Sequence, residues 1–98
     1  MKEIKAFIRP NKVNEIVTSL KNAGFANMTI SAAEGTGNFQ DENAFVSRKY
    51  SVTDSEIAKL EMVVGQKDVD TVVKIISEYG RTIYPGDGII YVSNVGSV

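Results

Sequence analysis

Shifting the chain by 56 positions lays one half of it on the other. Ile4 falls on Leu60, Phe7 on Val63, Ile8 on Val64, Val13 on Val69, Ile16 on Val72, Val17 on Val73, Leu20 on Ile76 and Gly24 on Gly80. One supersecondary unit therefore occurs twice. In the first copy, residues 4–9 read as a strand that Pro10 ends. Val13, Ile16, Val17 and Leu20 then recur at i, i+3, i+4 and i+7, a single helical stripe. Gly24 suits the helix C-terminus. In the second copy, residues 60–64 are the strand, Asp68 is the expected N-cap, and Val69, Val72, Val73 and Ile76 form the matching stripe up to Gly80.

A strand and an amphipathic helix cannot cover their own apolar surface, so each copy needs a closing strand. Residues 28–33 supply one, with Met28, Ile30 and Ala32 on one face, and residues 89–93 supply the other. The order is βαββαβ, which predicts an α+β, ferredoxin-like sandwich: a four-stranded antiparallel sheet with both helices on one face. The other sheet face, expected to present Phe7, Val63 and Tyr91, then needs a cover. Subunit packing is the simplest one. An open, aromatic-bearing sheet is also how RNA-recognition modules work.

Composition narrows the chemistry. The 98 residues form one domain, 1–98, with 11 Lys and Arg against 12 Asp and Glu, and neither Cys nor His. Disulfides, thiolate nucleophiles and Cys-rich zinc sites are excluded, as are histidine bases and histidine metal ligands. The only soft ligands are Met1, Met28 and Met62, so direct metal sensing is not expected. A net charge of −1 argues against nucleic acid. No apolar run approaches the ~18 residues of a membrane span, and the N-terminus lacks a signal-peptide stretch, which makes the cytoplasm the expected location. With no nucleophile–base pair in view, an enzyme is not expected.

Two segments interrupt the repeat. About twenty residues, 35–57, separate strands 2 and 3, where an antiparallel pair normally needs two to five. They are either a long hairpin or an arm that orders on a partner. Phe39 and Phe45 in that arm either anchor it in a partner's groove or pack on the loop or a neighbouring subunit. The second segment, 80–88, ends in Gly86-Asp87-Gly88, either a turn into the last strand or the edge of a phosphate pocket.

Several stretches together resemble the nitrogen-regulatory P-II signal-transduction family. They are Met1-Lys2-Glu3-Ile4 with Ile8-Arg9-Pro10, Met28-Thr29-Ile30 after Gly24, Gly35-Thr36-Gly37, Leu60-Glu61-Met62-Val63-Val64, and Thr82 followed by Gly86-Asp87-Gly88. The resemblance covers nearly the whole chain. It implies a homotrimer that binds adenine nucleotides (AMP, ADP or ATP) between subunits and controls a transporter or metabolic enzyme through a T-loop, here about 36–56. By position, Thr29, Glu61 and Val63 would surround the adenine. Gly35, Thr36 and Gly37 would approach base and phosphates at the T-loop root, and Gly86, Asp87 and Gly88 would hold the phosphates from a B-loop, about 80–88. The partner would meet Phe39, Phe45, Arg48 and Tyr50. Tyr50 aligns with a tyrosine that some members have uridylylated, but its neighbours Arg48-Lys49 and Ser51-Val52-Thr53 depart from the usual context, and modification is not expected.

The chain departs from the family at the phosphates. Ile89 stands where members usually carry Lys, Asn38-Phe39 where they carry Arg-Gln, and no basic segment follows the last strand. Charge-assisted contacts are worth about 1.5–3 kcal/mol each, so AMP or ADP gains on magnesium-bound ATP; Arg81, Arg48 and Lys49 are either substitutes or ordinary solvated surface charges. The alternatives are a trimeric P-II- or CutA-like interaction protein of a metal-efflux or other transport system, without ATP sensing, and a weak nucleotidase dependent on Asp87.

Overall fold

A computed structural model of the chain describes residues 1–36, 55–81 and 88–96. The elements are β1 (Lys2–Ile8), α1 (Val13–Asn22), β2 (Thr29–Gly35), β3 (Ser55–Val64), α2 (Val69–Gly80) and β4 (Gly88–Asn94). They form one antiparallel sheet in the order β2-β3-β1-β4. This is the expected ferredoxin-like βαββαβ sandwich, and the repeat is visible in it. A 3-10 turn precedes each helix, Pro10–Lys12 and Gln66–Asp68, and the two turns and the two helix starts are each 56 residues apart.

The alternation along each strand divides the sheet in two. Ile4, Ala6 and Ile8 of β1 and Ala58, Leu60, Met62 and Val64 of β3 are buried with Ile16 and Leu20 of α1 and Val72 and Ile76 of α2. Both helical stripes therefore face one core. Met28 packs on it from the chain just before β2. Ile30 and Ala32 pair with Leu60 and Ala58 on the same sheet face, as expected. Ile30 is nevertheless exposed, because β2 is an edge strand.

The strands are longer than the apolar pattern suggested. Strand β3 starts at Ser55 rather than Leu60 and β2 ends at Gly35 rather than Ala33, because pairing continues through polar residues such as Glu34↔Glu56. Strand β1 is displaced in the other direction, to Lys2–Ile8, and leaves Arg9 as the extended residue before the proline turn. Asp68 occupies the N-cap position of α2, but its side chain makes no capping bond. The preceding 3-10 turn enters the helix with Asp68 already in a right-handed helical conformation, so the usual extended cap geometry is lost.

The equivalent glycines also diverge. Gly24, at φ +97°, closes α1 in a Schellman motif: the Phe25 N–H donates to the Leu20 carbonyl at 2.9 Å and the Gly24 N–H to that of Lys21 at 3.0 Å. Gly80 is buried in the last turn of α2 beside Ile16, whose Cδ1 lies at ordinary contact distance from where a Cβ would stand.

Candidate functional site

Strand register brings three of the expected residues together. Thr29 and Glu61 are direct cross-strand partners on β2 and β3, and Val63 lies two residues beyond Glu61 on the same face. With Glu3 and Met62, and with Ala26, Asn27 and Met28 from the chain entering β2, they line an open cleft of about 530 Å³. Val63 is 48% exposed and offers an apolar surface on which a planar ring can rest. The Glu61 carboxylate can accept from an exocyclic amine, and the Thr29 hydroxyl can donate or accept. Lys59 holds Glu61 from along the strand, Nζ to Oε1 3.5 Å, and Lys5 stands opposite it in the register.

Glu3, Ala26 and Asn27 were not among the residues expected here. Their signal is the register itself: the 25–28 connection must lie at the sheet end to which Thr29 and Glu61 belong, and β1 carries Glu3 there opposite Val63.

The remaining described residues of the expected site lie elsewhere. Gly35 pairs with Ser55 at the other end of β2, about 20 Å from Thr29 at ~3.3 Å per residue, and Thr36 follows it. Gly88 opens β4 opposite Ile8 at that same far end. Tyr91 is separated from Glu61 only by Lys5, and Gly88 precedes Tyr91 by three residues, so Gly88 is about 14 Å from Glu61 by strand rise and spacing. Within one chain these residues fall into two separate groups, at opposite ends of the sheet.

Beside Gly88, a second cleft of about 440 Å³ opens between the end of α2 and strands β1 and β4. Ile8, Val73, Ile76 and Ile90 supply apolar walls, and Ser77 and Arg81 supply polar groups. Ile89, the departure from the lysine usual in the family that the chain resembles, pairs with Phe7 on the sheet face away from the helices. Gly37, Phe39, Phe45, Arg48, Tyr50, Gly86 and Asp87, together with Lys49, lie outside the described residues.

Met28 and Met62 are engaged in packing, and among the described residues no cluster of three acidic groups is placed to hold a metal ion. No helix of the described residues is long and apolar enough to cross a membrane.

The family model described as "Nitrogen regulatory protein P-II" matches residues 1–98. Nitrogen regulatory protein P-II 2 of Methanothermobacter thermautotrophicus is 38% identical over the whole chain and 86% of its own length. The nitrogen regulatory protein P-II of Synechocystis is 37% identical over the whole chain and 88% of its own length. A nitrogen fixation nifHD1 region GlnB-like protein 2 from Methanosarcina barkeri is 33% identical, again over the whole chain, and matches over 89% of its length.

Proposed function

The chain belongs to the nitrogen regulatory protein P-II family, and from that premise we propose that it is a trimeric regulator that binds an adenine nucleotide between subunits and passes the binding state to a partner protein. The family's members are regulators of nitrogen metabolism rather than enzymes, and the chain's lack of histidine and cysteine accords with that role.

The observation that carries the nucleotide reading is the separation of the half-sites. Thr29, Glu61 and Val63 form a ring-sized recess at one end of the sheet, while Gly35, Thr36 and Gly88 lie at the other. A nucleotide touching both sets is best accommodated if the base lies against one subunit's recess and the phosphates reach a neighbour's Gly88 end. Assembly thus creates a site that a 98-residue fold does not contain alone.

On the phosphate side, Arg81 lines the cleft beside Gly88 and takes the role left open by Ile89. With Ile89 where the family pattern has a lysine, this side is less cationic than that pattern, which favours AMP or ADP over a triphosphate. Nucleotide occupancy then changes the population of conformations of the 36–56 segment, through which a transporter or metabolic enzyme in the cytoplasm is contacted.

Calorimetric titration of the purified chain with AMP, ADP and magnesium-ATP tests the reading. Binding of the mono- or diphosphate, tighter than the triphosphate, is expected. Failure of all three to bind at millimolar concentration overturns it.

A further inference from the structure

The cleft beside Gly88 has walls that a phosphate does not use. Ile8 and Ile76 line it from the core and are buried, while Val73 and Ile90 are partly buried beside them. Ile8 and Ile90 pack with the core, so this cleft lies on the helix side of the sheet, between α2 and β4. It is separate from the recess of Thr29, Glu61 and Val63. At about 440 Å³ it falls within the ~300–1,000 Å³ range of small-molecule sites.

Val73, Ser77 and Arg81 follow one another at intervals of four residues along one side of α2, with Arg81 at the helix end. That side thus passes from an aliphatic group through a hydroxyl to a guanidinium. Ser77 and Arg81 also border a neighbouring open cleft of about 510 Å³, together with Lys74 and Glu78. The shared rim carries two cations against one carboxylate, a net positive charge.

This gradient selects one kind of occupant. The aliphatic walls gain by removing a hydrocarbon tail from water, and the rim favours an anionic head to which Ser77 can donate a hydrogen bond. A polyol or a bare phosphate would leave polar atoms against isoleucine and valine. The carbonyl end of α2 works against an anion here, but that effect is smaller than a charge-assisted bond from Arg81.

We propose that the α2–β4 cleft binds a medium-chain aliphatic monocarboxylate, with the tail against Val73, Ile76 and Ile90 and the head at Ser77 and Arg81. Arg81 also bears the phosphate contact proposed above, so an occupied cleft withdraws it from the nucleotide. That coupling rests on the nucleotide reading; the site itself does not.

The full chain, isotope-labelled and free of nucleotide, is titrated with acetate, butyrate, hexanoate and octanoate and followed by its amide NMR shifts. From butyrate to hexanoate, affinity is expected to rise about threefold to fourfold per methylene, with the shifts centred on Val73, Ser77 and Ile90. Glutarate, which would bury a second charge, and hexylamine, whose head has the wrong sign, are expected not to bind there. Arg81→Gln should weaken hexanoate about tenfold, and Val73→Thr, which puts a hydroxyl in the apolar wall, about threefold or more. If one variant fails to fold, the other is read alone. Affinity that ignores chain length, glutarate binding as well as hexanoate, or shifts confined to other parts of the chain overturn the site and leave the nucleotide reading standing. Hexanoate that binds without raising the apparent Kd of ADP overturns the coupling through Arg81. Should ADP itself fail to bind, the nucleotide reading falls and the chain-length series still decides the site.

Discussion

Gly88 approaches Phe7 so closely that a Cβ built on it would lie 1.9 Å from the Phe7 carbonyl oxygen. The contact is to main chain, at the first residue of β4, and Gly88 holds φ +149° there. Two constraints coincide: only glycine tolerates the dihedral comfortably, and only glycine leaves room for the neighbouring strand.

Gly88→Ala is therefore expected to cost about 2 kcal/mol or more, since the clashing atom cannot rotate away. Urea unfolding measures it. A second variant, Gly88→Ala/Phe7→Ala, should recover nothing, because the obstacle is the Phe7 backbone. Recovery would show that the ring had been the neighbour that mattered.

Gly24 and Gly80 occupy equivalent places in the repeat, yet alanine should act oppositely at the two. At Gly24 there is open space but a φ of +97°, so Gly24→Ala is expected to destabilise by about 1 kcal/mol. At Gly80 the dihedral is ordinary and a Cβ would meet Ile16 Cδ1 at 3.4 Å, an ordinary contact. Gly80→Ala should be neutral or stabilising by up to about 1 kcal/mol. Thermal unfolding of the two variants side by side decides it.

Leu20 and Ile76 are the corresponding stripe residues of α1 and α2, 0% and 1% exposed. Each truncation to alanine is expected to cost about 2–5 kcal/mol, and by similar amounts, because both side chains enter the same core. A large difference in their denaturant midpoints would mean that one helix contributes far less to the core than its burial indicates.

Arg81 lines the cleft beside Gly88 and bears the proposed phosphate role. Arg81→Gln should weaken ADP by about tenfold, the worth of one charge-assisted contact, and AMP by less. Equal losses for both nucleotides in calorimetric titration would remove Arg81 from the phosphate.

Glu61→Gln should weaken adenine nucleotides while leaving the fold intact, since Glu61 is a partly exposed residue on the sheet face away from the core. Thr29→Val tests the opposite wall of the same recess. A loss of about tenfold from either change is expected in nucleotide affinity. Unchanged affinity in both would displace the base from this cleft.

Much of the architecture was legible because it is written at short range. The i, i+3, i+4, i+7 spacing in Val13, Ile16, Val17 and Leu20, and its copy at Val69 to Ile76, requires only neighbouring residues to be compared, and the 56-residue offset appears directly in the chain. Strand ends were less legible, since Ser55 and Glu56 pair through their backbone, a bond that side-chain polarity does not report. Asp68 takes the N-cap position that the sequence indicates, but a 3-10 turn leads into α2 and the carboxylate makes no capping bond. The grouping of Thr29, Glu61 and Val63 came from resemblance; that they share one recess with Glu3, Ala26 and Asn27 is a matter of register.

The sequence by itself determined the repeat, the two amphipathic helices, the antiparallel βαββαβ order and the exclusion of thiol and histidine chemistry, because periodicity and composition are properties of the chain before it folds. Only the tertiary structure decided which glycine is a cap and which a contact, where the charges of Glu3, Lys5, Lys59 and Glu61 meet, and that the expected site is divided between opposite ends of the sheet. These depend on which residue of one strand stands opposite which residue of the next. A shift of one position reverses every side chain's face, so register must be satisfied by the whole core at once and cannot be read from any local stretch.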